Sequence, residues 1–298
     1  MPRLLVARLL LPAGAWALSC SGGCATAGAS TAASALSDAG ATALAEGALD
    51  EAEARLRLAL EYQPTLAEAH VNLGLVALAR GDLEGAEASL RVALRLDEDS
   101  EEAWQSLGVV RLGRGDEEGA RRAFEAALAI DPGLLGARRN LADLWLRRAR
   151  YGEARAQLFR VLALAAPGSE DARRAGAQLA WCELRLGRPA AAKARADRVL
   201  GPFPDDPHGR LVRGALRAEA GDFPGAREDL RAAEGHVDTA PHASLRLAAL
   251  LVAHGRLREA APRVRALLRR RAQEPAVRLV AGWYALGRVD VATSRTHT

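Results

Sequence analysis

The sequence predicts an all-α chain built from repeated helical hairpins. Three observations predict it. The first is composition: of 298 residues, 49% are hydrophobic but only 4% aromatic. Ala dominates many stretches, and strand-type runs of Val, Ile and Thr are scarce. Ala is the best helix former and lets helices approach closely. The second is an internal period. Gly47, Gly81, Gly115, Ala149 in the same role, Gly187, Gly221, Gly255 and Gly287 recur at intervals of 34, 34, 34, 38, 34, 34 and 32. A fixed period of this size marks a stack of supersecondary units. The third is that each unit is apolar on more than one side, so it needs neighbours to bury its core.

The third repeat, EEAWQSLGVVRLGRGDEEGARRAFEAALAIDPGL, is the clearest. It carries Trp104, Leu107, Gly108, Gly115, Ala120, Phe124, Ala127 and Pro132. The second gives Leu73, Gly74, Gly81, Ala86, Leu90 and Ala93, and the first Gly40, Gly47, Ala52, Leu56, Ala59 and Pro64. The fourth keeps Leu141, Ala142, Trp145, Ala154 and Leu158, and the fifth Leu179, Ala180, Gly187, Ala192 and Pro204. The sixth keeps Gly214, Gly221, Ala226, Leu230 and Ala233, and the seventh Leu247, Ala248, Gly255, Ala260 and Leu267. Gly74 and Gly108 stand where a first helix approaches its second, opposite Ala86 and Ala120. Leu90 and Phe124 fill the space between. Gly81 and Gly115 suit the left-handed end of a helix. Asp82, Asp116 and Asp222 are placed to cap the helix that follows. Pro64, Pro132 and Pro204 stop second helices.

These residues, at this spacing, resemble the tetratricopeptide-repeat (TPR) family over residues 33–287. The resemblance implies a right-handed superhelical solenoid of about seven helix pairs with a C-terminal capping helix. Repeats fall near 33–66, 67–100, 101–134, 135–168, 173–206, 207–240 and 241–272, with a partial unit at 273–287. In that unit Ala276 to Leu286 reads as one helix with Leu279, Trp283 and Leu286 inward, and 288–298 reads as a tail. Cys182 sits in an apolar helical pattern and is expected to be a buried thiol.

Residues 1–19 read as a signal peptide: Arg3 and Arg8, then the short apolar stretch Leu9 to Leu18, then small residues. Ala17-Leu18-Ser19-Cys20 resembles a bacterial lipobox, which makes Cys20 the lipidation candidate; Ala25-Thr26-Ala27 offers an ordinary cleavage site instead. Residues 20–32, rich in Gly, Ser and Ala, read as a flexible tether. The expected placement is therefore export, as an outer-membrane lipoprotein facing the periplasm or, second, as a soluble periplasmic or secreted protein.

Charge is uneven. Ala33 to Leu134 holds 20 acidic and 9 basic residues, whereas Leu135 to Thr298 holds 17 and 30. Two readings stay open: a dipole that steers partners, or solvated faces that drifted apart. The run Arg256, Arg258, Arg263, Arg265, Arg269, Arg270 and Arg271 offers a surface to an acidic partner or anionic lipid. Nucleic acid is not expected, because aromatics are not interleaved as stacking platforms.

Function is expected in a concave groove lined by first helices, where the resemblance implies binding of peptide or protein segments. Carried over by position, the groove residues are Glu68, Asn72, Glu102, Gln105, Ser106, Arg139, Asn140, Asp143, Arg174 and Gln178. Asn72, Ser106, Asn140 and Gln178 hold the same place in four consecutive repeats, and an amide both donates and accepts toward a peptide backbone. The clamp that some relatives use for chaperone C-termini is missing, since Val71 and Gln105 stand where Lys is expected. No catalytic residue, metal site or cofactor is expected: the histidines are scattered, and no phosphate loop or nucleophile elbow is present. The chain reads as a non-enzymatic scaffold. The order of lipobox, tether and repeats is similar to the pilotin-type lipoproteins of type IV pilus secretins, although the Asn-Asn-Tyr-Gly stretch of that group is absent. A regulatory subunit or receptor for a periplasmic cell-wall or polysaccharide enzyme is the alternative.

Overall fold

The structure, a computed structural model, describes residues 26–237 and 239–296. The described residues form fifteen α-helices and no strand. In order these are α1 (Thr26–Ala45), α2 (Leu49–Tyr62), α3 (Ala67–Arg80), α4 (Leu83–Leu96), α5 (Glu101–Gly113), α6 (Glu117–Ile130), α7 (Leu135–Arg147) and α8 (Tyr151–Leu164). There follow α9 (Glu170–Arg185), α10 (Pro189–Leu200), α11 (Pro207–Glu219), α12 (Phe223–Glu234), α13 (Ala240–Ala253), α14 (Leu257–Arg271) and α15 (Pro275–Thr296). The chain divides into two compact units, one ending at Leu144 and one starting at Trp145.

In unit 1 the hairpins are α1–α2, α3–α4 and α5–α6, with α2 packed on α3 and α4 on α5. The turn inside each hairpin is set by a residue with left-handed backbone: φ is 79° at Gly47, 81° at Gly81 and 80° at Gly115. Asp82 and Asp116 then cap the next helix by accepting from the backbone N–H of Gly85 and Gly119 at 3.0 and 2.8 Å. Ala52, Leu56, Ala86, Leu90, Ala120 and Phe124 are fully buried. The close approach is real: a Cβ on Gly74 would lie 2.7 Å from Leu90 Cγ, and one on Gly40 2.7 Å from Leu56 Cγ.

Unit 2 repeats the plan through α9–α10, α11–α12 and α13–α14, with α8 packed on α9 and α15 on α13 and α14. Positive φ marks Ala149, Gly187, Gly221 and Gly255. Ala149 shows that the turn imposes the conformation even on a residue with a Cβ, at a cost of about 1 kcal/mol. Gly168 is also left-handed; it ends the long interval before α9, which Ser169 caps through Ala172 N at 3.2 Å.

The two ends differ from expectation. Of the tether expected over 20–32, residues 26–32 lie in α1, because Ala-rich sequence favours helix once one end is anchored. The remaining tether residues, the signal at 1–19 and Cys20 lie outside the described residues. At the other end, α15 continues to Thr296 instead of giving way to a tail at 288, and Gly287 lies inside it as helix, not turn. The inward face of α15 is Val277 and Val280, both buried, with Ala281 and Tyr284 packed beside them. Leu279, Trp283 and Leu286 are exposed; residues two apart on a helix point about 200° apart, so the two sets cannot share a face.

A recurring hydrogen bond joins five of the inter-repeat turns to the first helix that follows. His70 Nε2 lies 3.1 Å from the Pro64 carbonyl oxygen, and Trp104 Nε1 donates to Glu98 O at 2.9 Å. Arg138 and Arg210 Nε donate to Pro132 O and Pro204 O, both at 2.9 Å, and Arg278 Nε to Ala272 O at 2.9 Å. In every case the acceptor lies six residues earlier.

Candidate functional site

Unit 1 lays its first helices side by side, α1 against α3 and α3 against α5. The second and sixth positions of a repeat lie one turn apart on the same face of a first helix. They are Glu68 and Asn72 on α3, Glu102 and Ser106 on α5, and Gly136 and Asn140 on α7; Asp38 on α1 holds the sixth position of the first repeat. Asn72 and Ser106 are only 7% and 5% exposed. Neither side chain has a hydrogen-bond partner among the described residues. Their polar atoms still reach the surface, whereas beside them Gln105 Oε1 and Asn140 Nδ2 are enclosed without a partner. The Gln105 amide lies directly over Gly136, where any Cβ would overlap it. Buried polar groups normally find partners, and leaving one unmet costs about 1–3 kcal/mol. Gln105 and Asn140 carry such enclosed atoms, near the buried Asn72 and Ser106.

The rim of this face is acidic. Glu68 is exposed, yet desolvation by its surroundings and then the Asp38 charge raise its pKa. Glu102 reaches water while standing among many protein atoms; desolvation, then Glu68 and Glu101, raise its pKa. Asp38, Glu68 and Glu102 form no ion pair among the described residues. That contrasts with the buried carboxylates, each of which arginine holds. Glu87 pairs with Arg114 and with Arg91 at 2.8 Å. Glu183 meets Arg155 at 2.8 Å and Arg188 at 3.4 Å. Asp229 meets Arg213 at 2.6 Å and Arg217 at 2.9 Å.

Unit 2 has a different character. Trp181 on α9 is approached by the Arg246 and Arg185 guanidiniums at 5.0 and 5.8 Å from its ring centre, and by the His242 ring at 5.4 Å. Desolvation and then the Arg185 charge lower the Arg246 pKa. An open cavity of about 550 Å³ between α10 and α11 is lined by Lys193, Arg213 and Arg217 among others. Its cations are engaged, Lys193 with Asp197 at 2.7 Å and both arginines with Asp229. In the arginine run, Arg263 pairs with Glu234 and Arg256 with Glu259, at 2.6 and 2.8 Å, and Arg271 with Glu274. Arg258, Arg265, Arg269 and Arg270 are exposed. Cys182 is fully buried, and burial pushes its thiol up to about 12.

Two family models of the tetratricopeptide repeat match the sequence, one over residues 43–108 and 111–175, the other over 86–135 and 178–243. Together they take in about two thirds of the chain. This chain is a tetratricopeptide-repeat protein. No curated protein sequence matches it. Among solved structures, a TPR protein from Parabacteroides merdae aligns with a TM-score of 0.61 at 17% identity, covering 86% of this chain and 99% of that one. Pseudomonas aeruginosa PilF aligns with a TM-score of 0.55 at 24% identity, covering 71% and 95%. PilW, described as a widely conserved type IV pilus biogenesis factor, aligns with a TM-score of 0.55 at 21% identity, covering 72% and 98%. At these identities the likeness is one of fold. TPR proteins are in general non-catalytic scaffolds that bind other proteins or peptides.

Of the residues expected in the TPR groove, eight lie in unit 1: Glu68, Asn72, Glu102, Gln105, Ser106, Arg139, Asn140 and Asp143. Arg174 and Gln178 lie on α9 in unit 2. Arg139, Asp143 and Arg174 are half-buried and Gln178 is buried, and all four already have polar partners. The residues with unmet polar groups are therefore a narrower set around α3, α5 and α7. Asp38 was missed from the sequence, although its place as sixth residue of the first repeat was a usable signal. His242 and Arg246, second and sixth in the seventh repeat, were missed in the same way. Among the described residues no cluster of His, Cys, Asp and Glu is placed to hold a metal ion, and no helix is long and apolar enough to cross a membrane.

Proposed function

We propose that this TPR protein is a scaffold of the bacterial envelope, one that holds an extended segment of a partner protein on the first-helix face of unit 1. The observation that carries the proposal is the pair Asn72 and Ser106, buried, stacked at one repeat position and without partners of their own. An extended backbone presents alternating N–H and C=O groups that such side chains satisfy. Envelope placement is supported by the lipobox-like Ala17 to Cys20, which would anchor the chain by lipid, and by the fold shared with PilF and PilW. The process served is then assembly of a pilus, secretion or motility complex.

The test is affinity capture of the tagged protein from envelopes after mild cross-linking, beside an Asn72→Ala, Asn140→Ala variant. Components of such a machine that accompany the native chain and are lost from the variant support the proposal. The same partners retained by the variant would remove the groove from it. Capture of a cell-wall or polysaccharide enzyme alone would transfer the reading to a regulatory subunit.

A further inference from the structure

The acidic rim and the unmet polar floor of unit 1 together point to the chemistry of the occupant. The chain is rich in arginine, and the buried carboxylates described above are paired with it. Asp38, Glu68 and Glu102 are left without a cation, although desolvation and then neighbouring acidic groups disfavour the charge on Glu68 and Glu102. Such an arrangement is unfavourable in the free protein and is relieved when positive charge arrives from outside. The carboxylates are too dispersed to hold one metal ion, since no metal-binding cluster is found among the described residues. A string of separate cations fits them instead. The floor beside them, Asn72 and Ser106, is nine-tenths buried, one turn from Glu68 and Glu102 on the same helix faces, and hydrogen-bonds to nothing.

We infer that the first-helix face of unit 1 binds an extended cationic segment, with its main chain on Asn72 and Ser106 and its Arg or Lys side chains on Glu68 and Glu102. This rests on the groove reading above and adds the class of ligand. Spacing follows from the repeat. Glu68 and Glu102 hold the same position on packed helices, whose axes lie about 8–10 Å apart. A polyproline II segment rises about 3.1 Å per residue and returns to the same face every third residue, about 9.3 Å on. Cations three residues apart therefore meet successive carboxylates, whereas a fully extended strand would turn alternate ones away.

The experiment is fluorescence anisotropy of labelled twelve-residue peptides with the full chain. The probe is four Arg-Pro-Ser units, and two controls carry Gln or Glu in place of Arg. The expected result is saturable binding of the arginine peptide, weakened at least tenfold by Glu68→Gln with Glu102→Gln, weakened again by raised salt, and absent for the glutamate peptide. These substitutions lie on an exposed rim, and an unchanged circular dichroism spectrum with a Tm no lower than that of the native chain confirms folding. Equal binding of the arginine peptide by the native chain and the Gln variant overturns the inference. So does failure of the arginine peptide to bind at all. The glutamine peptide separates the two readings: if it binds as tightly as the arginine peptide and is lost on Asn72→Ala with Ser106→Ala, the groove stands and the cationic ligand does not. If arginine binding survives Asn72→Ala with Ser106→Ala and the Gln pair alike, both readings fall.

Discussion

Gly108→Ala probes the hairpin packing because one added methyl has two opposed effects. A Cβ at this position would lie 2.6 Å from Phe124 Cδ1 and 2.9 Å from Cζ. Carbon atoms at rest stand about 3.5–4.0 Å apart, so the overlap is about 1 Å. Phe124 is 0% exposed, and its ring has nowhere to swing. Overpacking of this kind costs about 1–3 kcal/mol, here toward the upper end because α5 and α6 must part. The gain in helix propensity offsets about 1 kcal/mol of it. The single variant is expected to lose about 1–2 kcal/mol. Phe124→Ala alone removes a buried ring and costs about 3–5 kcal/mol. In the double variant the overlap is gone, the propensity gain remains, and the new methyl occupies part of the cavity. It is expected to be at least as stable as Phe124→Ala alone, a coupling of about 2 kcal/mol, which is within the usual range for residues in contact. Urea unfolding of the full chain followed by far-ultraviolet circular dichroism measures all four. Additivity within about 0.5 kcal/mol, or a stabilising Gly108→Ala, refutes the packing described here.

Other perturbations test the charges and the core. A carboxyl whose folded pKa is raised opposes folding while ionised, and that penalty disappears as pH falls through the folded pKa. Glu102→Gln should therefore raise Tm at neutral pH, and the gap should close as pH enters the carboxylate range; a gap that ignores pH would remove the electrostatic cause. Asp229 is fully buried against Arg213 and Arg217, so Asp229→Asn removes its ion pairs with two part-exposed guanidiniums, Arg217 keeping Asp222 at 3.6 Å, and should cost about 1–3 kcal/mol in chemical denaturation, with a loss under about 0.5 kcal/mol contradicting the pairing. In a chain carrying Cys20→Ser and Cys24→Ser, Cys182 should resist alkylation at pH 8 until denaturant is added, because burial both encloses the thiol and keeps it protonated; rapid labelling of the folded chain would contradict its place in the core.

Much of the fold was legible because glycine and aspartate act locally. A turn that needs positive φ and a helix that needs a cap are decided within three or four residues, which is why Gly81, Asp82, Gly115 and Asp116 could be placed from the sequence. The terminal helix was not legible in the same way. Its apolar residues fall on two faces, Val277 and Val280 on one and Leu279, Trp283 and Leu286 on another, and only packing against α13 and α14 chooses between them. The groove was legible as a list of positions but not as a site. Repeat position names Asn72, Asn140 and Gln178 alike; whether such a side chain already has a partner depends on neighbours in other helices. Asn72 has none and Gln178 has one, and no local pattern in the sequence tells them apart.

The divergence between repeats has a physical explanation in the fourth position of the first helix. That position carries His70, Trp104, Arg138 and Arg210, four side chains with nothing in common as apolar surface. Each places a ring or guanidinium nitrogen on a carbonyl oxygen six residues earlier, in the turn that joins two repeats. What the position requires is therefore a long side chain ending in an N–H, not an aromatic ring. The Trp104 ring adds apolar contact to that bond, whereas arginine adds charge, even at Arg138, which is buried. Trp104→Arg keeps a donor for the Glu98 carbonyl oxygen and should thus be tolerated, while Trp104→Phe keeps the ring but loses the N–H and should loosen the turn. Hydropathy alone ranks those two substitutions the opposite way, so their order in Tm decides whether the hydrogen bond or the apolar surface holds one repeat against the next.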